Sequence, residues 1–184
     1  EWAIAYLQAA TITPELIRDT KNLCNLRTIE AIPRLIGVLR FNNPAVASVA
    51  TAGVIDLGIQ AVPSLLVSLD DKNYGSRAWV VRALAAIHDP RSLDLLEHAL
   101  ATDIAPSVRR SAARGLAELN LIYPEDSSKL NRCLLALREA IKDDEWVVRY
   151  SAIFGIEMHL LKYNSTHKDL CILELKQLSS NSES

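Results

Sequence analysis

Aromatic side chains are scarce in this 184-residue sequence, which has two Phe, three Trp and five Tyr. Strand-like alternation of β-branched residues is also rare, and the abundance of Ala and Leu points to helix. Long apolar runs are missing. None reaches the roughly 18 to 20 residues that a membrane-spanning helix needs, and no signal peptide is visible. Cysteine is sparse and odd in number: Cys24, Cys133 and Cys171 form no CxxC pair and no Cys/His cluster. That excludes a disulfide framework and a structural zinc site, and points to a reducing compartment. An excess of charge is lacking too. Twenty Lys and Arg stand against 22 Asp and Glu, for a formal net charge of −2. Neither nucleic acid nor an anionic membrane is attracted by such a chain as a whole, so any cationic function must be local.

Catalytic signatures are absent as well. There is no GxSxG, no phosphate-binding glycine loop and no HExxH, and His88, His98, His159 and His167 are scattered. A helical-repeat di-iron hydroxylase needs repeated His-Glu pairs on facing helices, and none occur. His88 closes an expected helix, where the dipole favours an imidazolium without any further role.

What is present is a repeat. Val46-Ala47, Ser76-Arg77, Val108-Arg109 and Val148-Arg149 start equivalent segments, at steps of 30, 32 and 40 residues. Ala50, Val80, Ala112 and Ala152 follow, then the close-packing pairs Gly53-Val54, Ala83-Leu84, Gly115-Leu116 and Gly155-Ile156. Leu57, Ile87 and Leu119 complete the stripe of a helix buried along one face. Each such helix is preceded by another with its own stripe: Ile32, Leu35 and Leu39; Val62, Leu65 and Leu69; Leu93, Leu96 and Leu100. Neither helix of a pair hides its apolar face alone, so the pairs must stack. The expected fold is all-α, a HEAT-like alpha-alpha superhelix over residues 1–178. Its repeats run over about 28–58, 59–88, 89–120 and 121–161, and residues 179–184 form a polar tail. Pro124, Glu125 and Asp126 read as a loop that explains the long step, and a last helix is expected over about 168–178. The chain begins at Glu1 inside what reads as a helix, so a preceding segment is expected. The Trp2, Ile4, Tyr6 and Leu7 face reads as an uncapped end in need of a partner.

The repeat also fixes charges. Asp71 and Arg77, Asp103 and Arg109, and Asp143 and Arg149 each lie six apart, with Asp in the inter-helix turn and Arg in the first turn of the second helix. An Arg fork in that position bonds carboxylates and turn carbonyls and ties one repeat to the next. The first copy has Phe41 and Ala47 instead, so the ladder stops there. On the face of the second helices turned away from the core lie Ala78 and Arg82, then Arg110 and Arg114, then Tyr150 and Phe154. Tyr74, Trp79 and Trp146 sit near helix starts and extend this surface. In a solenoid the second helices usually line the concave side, where partners bind. Cations beside exposed rings suit a flat, conjugated, anionic ligand, and they suit a protein hot spot equally.

The run Asn73-Tyr74-Gly75-Ser76-Arg77-Ala78-Trp79, its continuation to Arg91, and the stretch from Thr102 to Leu116 resemble the E/F-type phycobilin lyases, and within them the F-type subunits. Phe41-Asn42-Asn43-Pro44 and Asp144-Glu145-Trp146-Val147-Val148-Arg149-Tyr150 support the likeness, which covers about residues 29–156. The resemblance implies a lyase that joins a linear tetrapyrrole, phycocyanobilin, by a thioether bond to a cysteine of the phycocyanin alpha chain. It implies a heterodimer with an E-type subunit, a cyanobacterial or red-algal setting, a cytoplasmic site of action, and no metal or resident cofactor, the bilin being substrate. Neither nucleic acid nor membrane insertion is implied. A related F-type subunit that also isomerises the bilin carries an Asn-His-Cys motif. No such motif occurs here, so simple attachment is expected.

On this reading Arg82, Arg110 and Arg114 pair with the two propionates, while Tyr150, Phe154 and Trp146 pack on the pyrrole rings. Asp71, Asp103 and Asp143 are candidates to stabilise the protonated, more electrophilic bilin, provided the ladder releases one. The three cysteines are expected to be buried small hydrophobes, or transient carriers at most. A non-enzymatic HEAT adaptor that binds phycobiliproteins during phycobilisome degradation or assembly, and a generic scaffold, remain the alternatives.

Overall fold

The computed structural model describes residues 2–41, 43–69, 73–122, 127–162, 172 and 176. Asp71, the loop at Pro124, Cys171, most of the expected terminal helix and the polar tail lie outside the described residues, as do the side chains of Trp2, Ile4, Tyr6 and Leu7. Among the described residues there is no strand. The helices are α1 (Trp2–Asn25), α2 (Ile32–Val38), α3 (Pro44–Leu57), α4 (Val62–Val67), α5 (Tyr74–Ile87), α6 (Leu93–Thr102), α7 (Pro106–Ile122), α8 (Ser127–Ala140) and α9 (Trp146–Lys162). The second helices α3, α5, α7 and α9 begin 30, 32 and 40 residues apart, the spacing read from the sequence. The chain divides into two compact units, Glu1–Leu95 and Leu96–Ser184.

In the first unit α3 packs on α1, α2 and α5, and α4 packs on α5. The apolar stripes meet in one cluster: Ile32, Leu35 and Leu39 from α2 and its end, Ala50 and Val54 from α3, Val62 and Leu65 from α4, and Val80, Ala83 and Leu84 from α5. Each buried Leu, Ile or Val removes enough apolar surface from water to contribute about 1.5–3 kcal/mol. Two asparagines set the entries to the long helices. The Asn43 side chain accepts from Val46 N at 3.3 Å and Asn73 accepts from Ser76 N at 3.0 Å, each satisfying a backbone donor that the helix start leaves over. Asn43 also donates through Nδ2 to Thr13 Oγ1 at 3.1 Å, which fastens α1 to the start of α3.

The helix ends are equally specified. Gly58 closes α3 at φ 61° and ψ −138°, a conformation that a side chain would strain. His88 closes α5 in the left-handed region at φ 57°, as the sequence placed it at a helix end. Beyond it Asp89 receives Arg91 N at 2.9 Å, Arg91 Nε at 2.8 Å and Arg91 Nη2 at 2.7 Å, while Nη2 also donates to Ile59 O at 2.9 Å. The turn after α5 is thereby tied to the turn after α3.

Gly53 shows how closely the helices approach. A Cβ there would lie 2.2 Å from Cys24 Sγ and 2.9 Å from Cys24 Cβ, both on α1. Gly53→Ala is therefore expected to lower stability by about 1–3 kcal/mol through overpacking, despite the better helix propensity of Ala. Cys24→Ala in the same chain should recover part of the loss, because it removes Sγ, the nearer of the two atoms struck, and keeps Cβ. Urea midpoints of the two singles and the double measure this, and a purely additive double would contradict the assigned contact.

In the second unit α7 packs on α8 and α9, and α8 packs on α9. Val108, Ala112, Leu116, Val148, Ala152 and Ile156 are buried, as their stripe positions require, and Leu137 of α8 is buried with them. The α7–α9 approach is set by Gly155, where a Cβ would lie 2.5 Å from that of Ala117. Cys133 belongs to this core.

Candidate functional site

The arginine ladder is the first element of the surface that the second helices present. Arg109, from the first turn of α7, donates through Nε and Nη2 to the two carboxylate oxygens of Asp143 at 2.7 and 2.8 Å, and through Nη1 to Asp103 O at 2.8 Å. Arg149, at the same position of α9, donates through Nη1 to Asp143 O and Asp144 O, both at 2.8 Å. The Asp side chains themselves turn the chain into the helices: Asp103 Oδ1 accepts from Ala105 N at 2.8 Å and Asp143 Oδ1 from Glu145 N at 2.9 Å. The Arg109 fork ties its repeat to the next through the Asp143 carboxylate, while the partners six apart meet at the Asp carbonyls.

These bonds decide what Asp143 is able to do. Both of its oxygens are committed, and the Arg109 guanidinium holds its carboxyl below the usual carboxylate range. The Arg91 guanidinium does the same to Asp89. A carboxylate whose folded pKa is depressed contributes stability that is complete above its unfolded value, near 3.9, and is lost as pH falls through the folded value. Stability should therefore be flat with respect to these two groups from about pH 5 upward and should fall below about pH 4. Urea denaturation across pH 2–7 tests this, and Asp143→Asn should make the acid fall shallower. An unchanged acid slope in that variant would contradict the role given to the pair.

Of the other carboxylates proposed for chemistry, Asp71 is outside the described residues and Asp103 serves the turn into α7. Of the described cysteines, Cys24 and Cys133, neither offers a ready nucleophile. Burial pushes the Cys133 thiol up to about 12, with Glu97 adding to the effect. Burial, then Asp56, also raises Cys24, which donates to Val49 O at 3.6 Å. Among the described residues no three His, Cys, Asp or Glu side chains gather into a metal-binding group.

The ring and cation candidates fall into two sets, one on each unit. On α5 Tyr74 is half exposed, Trp79 packs on one side against the buried cluster of the first unit, and Arg82 is exposed. The Arg77 guanidinium lies 5.8 Å from the Tyr74 ring centroid, and that of Arg82 lies 5.3 Å from the Trp79 ring centroid. On the second unit Arg110 and Arg114 are exposed on α7, one turn apart, and neither forms a hydrogen bond or ion pair with the described residues. On α9 Trp146, Tyr150 and Phe154 recur every fourth residue and are exposed by 66, 64 and 51%. Tyr150 and Phe154 lie nearly parallel, 17° apart with centroids 6.4 Å from each other. Because α7 and α9 are adjoining repeats, the arginines and the rings occupy equivalent positions on neighbouring helices.

Sequence reasoning stopped this stripe one turn early. Met158 continues it at the same spacing and Ile153 flanks it, exposed by 37 and 36%. The fourfold spacing from Phe154 was the available signal. An open groove of about 560 Å³ between α2 and α4, lined by Pro33, Ile36, Arg40, Pro63 and Val67 among others, also went unforeseen. It is formed by first helices and contains none of the ring or cation candidates.

Residues 32–117 match the HEAT repeat family. A bilin biosynthesis protein, RpcF, of Synechococcus sp. (strain WH8020) is 82% identical over 184 residues, which is all of this chain and 88% of that protein. The phycocyanin alpha phycocyanobilin lyase CpcF of Synechocystis sp. (strain ATCC 27184 / PCC 6803 / Kazusa) is 41% identical over 160 residues, 85% of this chain and 75% of that one. Among solved structures, the complex of CpcE and CpcF of phycocyanin lyase from Nostoc sp. PCC7120 matches with a TM-score of 0.75 at 41% identity, covering 83% of this chain and 91% of that chain. With the ladder, the repeat spacing and these relatives in agreement, the chain belongs to the E/F-type phycobilin lyases, as an F-type member built of HEAT repeats.

Proposed function

We propose that this chain is the F-type subunit of a heterodimeric lyase which, with an E-type partner, joins phycocyanobilin by a thioether bond to a cysteine of the phycocyanin alpha chain. Its Synechocystis relative is by name a phycocyanin alpha phycocyanobilin lyase, and the matched Nostoc structure pairs a CpcF with a CpcE. The observation on the chain itself that carries the reading is the placement of exposed Arg110 and Arg114 on α7 at the positions that the nearly parallel Tyr150 and Phe154 rings hold on adjoining α9.

A bilin is a flat conjugated chain with two propionates, so that arrangement supplies what it needs. Arg110 and Arg114 take carboxylates, and Trp146, Tyr150 and Phe154 take pyrrole faces. The first unit carries a set of its own, with Tyr74 as ring surface and Arg82 beside Trp79 as a cation. In the reaction the acceptor sulfur bonds to the exocyclic carbon of the bilin's ethylidene group while the thiol proton passes to the ring carbon. The S–H bond and the carbon–carbon π bond are consumed and nothing leaves. Such an addition asks chiefly for positioning, which alone is worth many orders of magnitude of effective concentration. No metal or resident cofactor enters the proposal.

Free Cys24 and Cys133 suit a reducing cytosol, where we place the reaction. No described helix is long and apolar enough to cross a membrane. Mixing the chain with an E-type partner, phycocyanobilin and apo-phycocyanin alpha chain should yield a covalent, zinc-fluorescent adduct on the alpha chain. Adduct formation no faster than the spontaneous rate would overturn the lyase reading, and retained binding of phycocyanin would then favour the adaptor.

A further inference from the structure

We infer that Trp79 is a positioning residue which holds Arg82 as a preformed clamp for a carboxylate. The inference deepens the lyase reading and rests on it for the source of the anion. Trp79 and Arg82 are three apart on α5 and so lie on one helix face. One side of Trp79 packs against the buried cluster of the first unit, which fixes the indole in place. The Arg82 guanidinium lies over the ring, 5.3 Å from its centroid, and makes no hydrogen bond or ion pair with the described residues.

The consequence follows from guanidinium geometry. Its attraction to an aromatic ring uses the flat face of the cation, whereas its five N–H donors radiate in the plane. A ring contact therefore fixes where the cation is without spending any donor. Arg109 and Arg149 are different, because their N–H groups go to Asp143 and to turn carbonyls. Arg91 likewise spends its donors on Asp89 and Ile59 O. Arg82 keeps its fork open on an exposed face, with part of the rotamer entropy of a long side chain already lost before a ligand arrives. A planar carboxylate that accepts two parallel N–H bonds is the anion this fork fits. Two sources exist in the reaction: a propionate of the bilin, and a carboxylate of the acceptor protein. The ring face toward Arg82 is taken, so Trp79 acts through the arginine rather than by stacking that face on a pyrrole.

The test uses the heterodimer and four variants, Trp79→Phe, Trp79→Leu, Arg82→Lys and Arg82→Gln, against phycocyanobilin and its dimethyl ester. Arg82→Gln should weaken diacid binding about tenfold, the size of a lost charge-assisted bond, and Arg82→Lys should recover only part of it. Trp79→Leu should weaken it about fivefold, and Trp79→Phe by less than about twofold. In the Arg82→Gln background Trp79→Leu should add almost nothing, because its effect runs through the missing cation. The losses should appear in KM for bilin, with kcat kept. If the carboxylate is the bilin's, they vanish with the dimethyl ester; if it is the acceptor's, they persist with the ester and appear in apo-alpha-chain binding. Either result supports the clamp and identifies its source.

The inference is overturned if Arg82→Gln changes neither affinity, or if Trp79→Leu is as harmful without Arg82 as with it. A bilin-free reading separates this from failure of the lyase assignment. In arginine-labelled heterodimer the Arg82 Nε–H resonance, identified by its loss in Arg82→Lys, should show an aromatic ring-current shift that Trp79→Phe keeps and Trp79→Leu abolishes. Absence of that shift in the unaltered protein sinks the positioning role even where adduct forms. Its presence in a heterodimer that forms no adduct leaves the clamp standing and removes the lyase.

Discussion

Asp143→Ala is expected to destabilise the chain by about 2–3 kcal/mol, lowering the melting temperature by roughly 5–10 °C for a protein of this size. The reason is the number of bonds that end on one carboxylate. Asp143 accepts Arg109 Nε and Nη2 and, in addition, the backbone N–H of Glu145 at the entry to α9. Removing it leaves a guanidinium that is only 15% exposed without its anion, and a turn without its acceptor. Complete burial would raise the cost to about 3–5 kcal/mol, and the residual exposure of the pair brings it down. Asp143→Asn should lose less, because the amide oxygen still accepts from Glu145 N while the ion pair is gone. Glu139→Ala, whose carboxylate pairs with exposed Lys142, should change stability by less than about 0.5 kcal/mol. Thermal unfolding of the three variants makes the comparison. Equal small losses in all of them would show the ladder to be ornamental.

The ladder and the helix pairs were legible because they repeat. A single Asp six residues before an Arg says nothing, but Asp103–Arg109 and Asp143–Arg149 recur at the same place in the stripe, and the stripe fixes which way each side chain points. What the spacing did not convey was the crossing of the bonds. Arg109 takes the carbonyl of its own Asp103 but the carboxylate of the next repeat's Asp143, a choice made by the distance between stacked turns and not by neighbours in sequence. The other entry device was less visible. Asn43 and Asn73, also 30 residues apart, cap α3 and α5 where the second unit uses Asp three residues before the helix. The asparagines accept from the N–H of the third helical residue and the aspartates from the N–H just before the helix, so the two units shape the same entry with different bonds. The ring stripe on α9 was read as far as Phe154, since aromatic residues stand out against a poor background. Met158 was overlooked because a lone Met is an ordinary core residue until the exposure of its whole face is known.

Replacing Arg110 and Arg114 together by Ala should cut bilin attachment by the heterodimer about a hundredfold in kcat/KM while leaving the melting temperature within about 2 °C. The two halves of that expectation come from the same observation. Both arginines are exposed, one turn apart on α7, and neither is bonded within the described chain, so folding does not depend on them. Each is free to give a propionate a charge-assisted pair, and a net 1.5 kcal/mol per pair is about tenfold each in affinity for the reacting complex. Single variants should lose about tenfold, and Arg→Lys at either position should restore part of that, since a point charge remains but the fork is gone. Raised salt should weaken the unaltered protein more than the double variant, because exposed pairs are screened over about a Debye length. Initial rates of zinc-fluorescent adduct formation, with saturating alpha chain and varied bilin, measure all of this. Full activity in the double variant would remove the propionates from α7 and leave Arg82 as the described anion site. Loss of folding would mean that α7 presents another face. With Asp143 the stability falls and with Arg110 and Arg114 the activity falls, and that separation is what distinguishes a cation held by the repeat from one held out to a ligand.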